Sequence, residues 1–247
     1  MTPQELTFLE PGAHDEPFPP AEMAWDEPNG LIAIGGDLSV PRLINAYRSG
    51  IFPWFNPGEP IYWWNPDPRA VLLPEMVNFS RSLRKTIRNK GYKVVFDHNF
   101  KQVIAACAAP RSYSSGTWIS PEMQQAYCRL HDAGVAHSVE VYNKDDVLVG
   151  GLYGISSGGV FCGESMFSTE PNTSKIAFIA LAWYAQHVGY TLIDCQLENS
   201  HLLSLGSTSI SRKDYMTVLR SAPEPEQADW VFDQSVDLSR WEPGQTD

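Results

Sequence analysis

The sequence has no run of about 18 apolar residues, so no segment is expected to cross a membrane as a helix. Its first 20 residues, MTPQELTFLEPGAHDEPFPP, lack a basic n-region and an apolar h-region, so they are not expected to act as a secretory signal. Cysteine is scarce: Cys107, Cys128, Cys162 and Cys195 are the only four, none spaced C-x-x-C. They read as reduced thiols of a cytoplasmic protein. The six histidines are scattered without ligand spacing, which argues against a zinc site. Neither G-x-x-x-x-G-K-[ST] nor G-x-G-x-x-G occurs, so no nucleotide-phosphate loop is supported.

What is present is a globular composition over 247 residues, enough for one large domain or two smaller ones. The net charge of −11 belongs to the ends. Residues 1–41 carry eight acids and no Lys or Arg, and residues 223–247 carry seven acids and one base. The remaining 17 bases and 14 acids give the middle a net of +3. Within it, residues 78–96 hold six bases and no acid. Arg81, Arg84, Lys85 and Arg88 fall on one face of a helix, with Lys90 nearby. Such a face is either a solvated surface or a phosphate-binding strip.

Local signals place the elements. Residues 1–30, acidic and Pro-rich, read as extended over the surface, and LIAIGGDLS as a short strand into a turn. Ser39 and Pro41 start a helix that Gly50 ends, and Ser120, Pro121 and Gly134 bracket another. Helices are also expected over about 80–90, 99–109 and 174–189, with two shorter ones after residue 200. RAVLLP, YKVVFD and YTLIDCQ read as strands, and three strand-like runs between His137 and Ser168 suggest an antiparallel meander. The acidic tail after Pro223 reads as loosely attached. Between Ile51 and Ala70, six of the 29 aromatics are interleaved with five prolines, a density that forbids a helix and spoils a central strand.

Three features are polar or bare where apolar residues are expected. Asp194 and Gln196 alternate on one face of YTLIDCQ, with Cys195 opposite. Glu164 lies within VFCGESMF, on a face with Cys162 and Met166 by the same alternation. A carboxylate in an apolar strand is costly unless it is paired or used. Several glycines between Gly150 and Gly163 suggest close backbone approach to a ligand. Cys195 and His201 also offer the residue types of a thiol hydrolase.

The runs EPNGLIAIGGDLS, YRSGIFPWFNPGEPIYWWNPDPRAVL, GTWIS, AYCRLHDAGVAHSVEV, GGLYG, FCGESMFS and LIDCQLENSHLLSLG closely resemble the leucyl/phenylalanyl-tRNA–protein transferase family. The match covers roughly residues 18–220, in order. The resemblance implies an α/β (α+β) fold. A small N-terminal domain (residues 1–66) with the aromatic loop precedes an acetyltransferase-like (GNAT-like) domain (67–247) built on a mixed, mainly antiparallel sheet. It implies transfer of Leu, Phe or Met from aminoacyl-tRNA to acceptor proteins with N-terminal Arg or Lys, marking them for N-end rule degradation. The donor is an activated ester, so neither cofactor nor metal is implied, and a cytoplasmic monomer is expected.

The same resemblance assigns the site. In one assignment Asp194 and Gln196 accept the proton of the attacking amine; in the alternative Glu164, with or without Asp194, holds the acceptor's positive side chain, and the tRNA's terminal hydroxyl is a further carrier for the proton. Trp54 and Trp118 border the terminal adenosine, with Tyr47 and Tyr127 nearby; the prolines fix this loop at little entropic cost. At least two of Tyr62, Trp63 and Trp64 read as plain core. Leu152, Phe161, Met166, Phe178, Leu181 and Ile193 wall the aminoacyl pocket, and Ala185 stands where a larger aromatic is expected. Arg81, Arg84, Lys85, Arg88 and Lys90 contact the tRNA backbone. Two rival readings are a CoA-dependent N-acyltransferase, which needs an R/Q-x-x-G-x-G/A loop that is not apparent, and a non-catalytic RNA-binding module, which leaves the polar trio unexplained.

Overall fold

The computed structural model describes residues 6–110, 117–225 and 229–245. The sequence signals act locally as expected. Helix α1 (Val40–Arg48) starts with Pro41 in its first turn, and Gly50 leaves it at φ +73°. Strand β2 (Leu31–Gly35) precedes it. The segment before β2, expected to lie over the surface, adds a strand, β1 (Thr7–Leu9), parallel to β2. Arg42, wholly buried, anchors that segment by donating to the carbonyls of Glu10 and Ala13.

The aromatic loop is more regular than its prolines suggest. It folds into β3 (Phe52–Pro53) and β4 (Tyr62–Trp64), giving a four-stranded sheet ordered β1-β2-β4-β3. Pro53 is tolerated because β3 is the edge strand of that sheet. Trp63 is fully buried, packs edge-on against Phe18, and donates its Nε1–H to the Gly35 carbonyl.

A seven-stranded sheet follows. Its members are β5 (Arg69–Leu72), β6 (Lys93–Phe96), β7 (Ala136–Tyr142), β8 (Leu148–Ser157), β9 (Val160–Ser168), β10 (Leu192–Gln196) and β11 (Thr208–Ile210). The order is β11-β5-β10-β9-β8-β7-β6. Every neighbouring pair is antiparallel except β9 and β10, which run parallel. The short strand β11 has no counterpart in the local sequence pattern.

Both faces of this sheet are covered, so its strands alternate between two cores. Val71, Val160, Cys162 and Leu192 face α1, α3 (Phe100–Ala108) and α4 (Pro121–Asp132). Ala70, Leu72, Phe161 and Ile193 face the apolar helix α5 (Thr173–Val188). The basic helix α2 (Arg81–Lys90) is capped by Ser80, whose Oγ accepts from Leu83 N, and ended by Gly91 in the left-handed region. Two more helices, α6 (Ser200–Ser204) and α7 (Arg212–Ser221), flank β11.

The tail is not loosely attached. Trp230 stacks on His137, with ring centroids 4.0 Å apart, and packs against Phe161 and Tyr184. Phe232 is buried against Phe96 and Trp183. Arg84 donates to the Ser239 and Trp241 carbonyls and pairs with Glu242 at 3.0 Å, tying the tail to α2.

Candidate functional site

The parallel pair β9 and β10 stays in register only from Val160/Leu192 to Cys162/Asp194. Beyond that point β9 continues to Ser168 against β8 alone, and a cavity of about 1070 Å³ opens there. Leu152, Met166, Phe178, Leu181 and Ile193 give it an apolar wall. Trp54, 46% exposed, and Trp118 line it too, as do Glu164, Asp194 and Gln196. Phe161 does not line it; its ring lies against Tyr190 and Trp230 in the core. Ala185, fully buried, does not line it either, so its small size does not enlarge the cavity.

Two backbone irregularities aim the polar side chains. In β9 the pairing steps from Gly154↔Gly163 to Tyr153↔Ser165, leaving Glu164 as the extra residue of a bulge. The bulge breaks the alternation: Cys162 joins one core and Met166 packs against the other, so Glu164 does not share a face with both. In β10 the register shifts between Asp194 and Gln196, and Gln196 has φ +61°. A non-glycine residue there is strained, and such strain is found where a site holds a side chain in place. The Gln196 N–H donates to Asp194 Oδ1 at 2.9 Å, which fixes that turn.

Asp194 is fully buried and fully engaged. Arg69 Nε and Nη2 donate to its two oxygens at 2.8 and 2.6 Å, and Tyr215 Oη donates at 2.9 Å. With the Gln196 N–H, four donors fill this carboxylate, so it cannot take the amine's proton without breaking the set. In this geometry it also holds the Gln196 backbone N–H. Burial opposes the charge on Arg69, but the Asp194 carboxylate beside it raises its pKa well above the usual range. The sequence reading missed Arg69 and Tyr215. An arginine opening an apolar strand was the available signal, because a buried guanidinium needs a carboxylate.

Glu164 is partly buried. Tyr47 Oη donates to its Oε1 at 2.8 Å, Gln196 Nε2 donates to the same oxygen at 2.8 Å, and Tyr127 Oη lies 2.9 Å from Oε2. The two tyrosine oxygens are themselves 2.5 Å apart. Tyr47 and Tyr127 are buried behind Glu164 and do not line the cavity, so their rings do not border a base bound in it. Burial pushes the Glu164 pKa up to about 7, and the Asp194 charge adds to the rise. Since Nε2 of Gln196 faces a carboxyl group, its Oε1 is the end left to accept a hydrogen bond.

The cavity also has a polar arm, lined by Ser168, Thr169, Ser174, Asn199, Ser200 and His201. No hydrogen bond joins His201 to Cys195 among the described residues; the thiol contacts the Ile193 carbonyl, and burial pushes its pKa up. That rules out a thiolate nucleophile there. Most of the strand glycines serve packing: a Cβ at Gly150 would strike Thr173, and one at Gly154 would strike Cys162 and Phe161. Gly163 alone among them lines the cavity. Arg81, Lys85, Arg88 and Lys90 are exposed on α2, whereas Arg84 is committed to the tail; none of the five lines the cavity.

A family model described as leucyl/phenylalanyl-tRNA protein transferase matches residues 71–220, and one for that protein's N-terminal domain matches residues 36–67. The chain belongs to the leucyl/phenylalanyl-tRNA–protein transferase family. It is an aminoacyltransferase. The relative of that name from Pseudomonas putida is 54% identical over 215 residues, which is 87% of this chain and 95% of the relative. That from Pseudomonas fluorescens Pf-5 is 54% identical over 92% of this chain and 99% of its own length. That from Cellvibrio japonicus is 56% identical over 82% and 86%. Both matched segments contain site residues: Tyr47 and Trp54 in residues 36–67, and Glu164, Asp194 and Gln196 in residues 71–220. The packed tail at 229–245 lies outside both.

Proposed function

We propose that this enzyme moves Leu, Phe or Met from aminoacyl-tRNA to the N-terminal Arg or Lys of an acceptor protein, marking it for N-end rule degradation in the cytoplasm. The observation that carries this reading is one shared cavity: two tryptophans, an apolar wall and the Glu164–Gln196 pair all open into it. An indole face takes an unpaired base such as a terminal adenine, for about 1–3 kcal/mol. A wall without polar groups accepts Leu, Phe and Met and separates them weakly.

The reaction is ester aminolysis. The acceptor's α-ammonium loses one proton to water and attacks the ester carbonyl. The C–N bond forms, the ester C–O bond breaks, and the second amine proton ends on the ribose oxygen. An α-amine has a pKa of about 7.7–8.0, so part of it is neutral at pH 7 and positioning does most of the work. In this reading Gln196 Oε1 accepts a hydrogen bond from the amine, Asp194 holds the turn that presents Gln196, and Glu164 faces the acceptor's cation. The exposed bases of α2 contact the tRNA backbone. We assign residues 1–66 to a small N-terminal domain and 67–247 to an acetyltransferase-like domain, acting as a monomer. The mixed sheet with one parallel pair supports that architecture.

The test is transfer of radiolabelled leucine from Leu-tRNA to a peptide with N-terminal Arg, beside an N-terminal Ala control. Label on the Arg peptide alone is the expected result. Equal label on both removes the acceptor class, and none on either removes the reading.

A further inference from the structure

Tyr47, Tyr127 and Glu164 make three mutual oxygen contacts: 2.5 Å between the hydroxyls, 2.8 Å from Tyr47 to Oε1 and 2.9 Å from Tyr127 to Oε2. Each hydrogen bond needs one proton, and each phenol supplies one. With Glu164 ionised, two protons serve three contacts, and one pair of oxygens faces another with nothing between them. With Glu164 neutral, three protons serve three contacts. The acid O–H donates from Oε2 to Tyr127, Tyr127 donates to Tyr47, and Tyr47 donates to Oε1, which also accepts from Gln196 Nε2.

We propose that Glu164 is held in the free enzyme as a neutral carboxylic acid, closing a ring of three hydrogen bonds with Tyr47 and Tyr127. The surroundings favour this. Among the described residues, the other titratable groups facing it are Tyr153 from β8, Cys162 from its own strand and Asp194 from β10. None of these is a cation, and Arg69, beside Asp194, is spent on that carboxylate. Burial acts in the same direction, pushing its pKa up to about 7.

The ring gives the two tyrosines a task other than stacking: they set the protonation state of the residue that meets the acceptor. A guanidinium or ammonium brought against Glu164 stabilises the carboxylate, so such an acceptor drives the Glu164 proton out to solvent as it binds. That consequence rests on the acceptor class proposed above; the ring itself does not.

The experiment is a carbon-13 titration of the full chain, labelled at its glutamate side-chain carboxyls, from about pH 5 to about pH 9. E164Q assigns the resonance. The ring predicts that Glu164 titrates at about pH 7 or above, well over the usual carboxylate range. In Tyr127→Phe the acid loses its acceptor while Tyr47 and Gln196 still stabilise the ionised form, so the midpoint falls by about one unit or more. An ordinary carboxylate with three donors behaves oppositely, since losing a donor raises its pKa. An unchanged or raised midpoint in Tyr127→Phe, or a wild-type midpoint in the usual carboxylate range, overturns the proposal. The titration uses free protein, so failed transfer to Arg peptides leaves its result standing.

Discussion

Arg69 and Asp194 meet through two hydrogen bonds of 2.8 and 2.6 Å with both side chains out of solvent. The pair separates two quantities that a single substitution would confuse. Asp194→Ala leaves a buried guanidinium without its counter-charge, and a broken buried pair costs about 3–5 kcal/mol. The double variant R69M/D194L removes both charges, so most of that stability is expected to return. Transfer activity is not expected to return, because the Gln196 turn has lost the acceptor of its N–H. Urea denaturation beside a transfer assay checks this; an active double variant would show that Asp194 serves stability alone.

Glu164 gives a second prediction, through pH. Its folded-state pKa of about 7 lies above the usual 4.5, so the folded chain holds a proton that the unfolded chain has released between those values. The stability it contributes is full below about pH 4.5 and is lost as pH rises through 7. Wild type is therefore expected to lose on the order of 2–3 kcal/mol or less from this group between pH 5 and 8. E164Q is expected to lack that slope. Denaturation midpoints at several pH values test it, and parallel curves would place the Glu164 titration elsewhere.

The tail supplies a third. Trp230 fills the space between His137, Phe161 and Tyr184, so Trp230→Ala is expected to cost about 3 kcal/mol. Phe161 shares this cluster rather than the cavity, so the donor amino acid preference is expected to stay as it is. A thermal melt paired with a Leu-against-Phe transfer ratio reads both. A changed ratio would mean that the tail shapes the aminoacyl wall.

How far these features could be read in advance depended on the range of the force behind them. The α1 and α4 ends were legible because Ser39, Pro41, Gly50, Ser120, Pro121 and Gly134 act within a turn of chain. The two tryptophans, the apolar wall and the polar trio were recognisable as residues, and five of the six wall residues do line the cavity. The bulge at Glu164 was hidden because β8 imposes it, and the period of two then misassigned Met166. Arg69 and Asp194 lie 125 positions apart, beyond any local pattern. The tail misled for the opposite reason. Its acids suggested solvent, while Trp230, Phe232 and Trp241 decided where it packs.

The basic helix α2 yields the last prediction, because the structure divides its charges. Arg81, Lys85, Arg88 and Lys90 are exposed, whereas Arg84 is 15% exposed and bound to the tail. If the exposed face contacts phosphates, each lost contact should lower the slope of log K against log salt by about 0.7–0.9. The pair K85E/R88E is therefore expected to weaken tRNA binding for any sequence and to flatten its salt dependence, with stability nearly unchanged. Arg84→Ala is expected to do the reverse: it frees the Ser239 and Trp241 carbonyls and lowers stability, with little change in salt slope. Filter binding across a salt series, with melts on the same samples, distinguishes the two faces. If K85E/R88E leaves the salt slope intact, α2 is a solvated surface and the tRNA backbone lies against another part of the molecule.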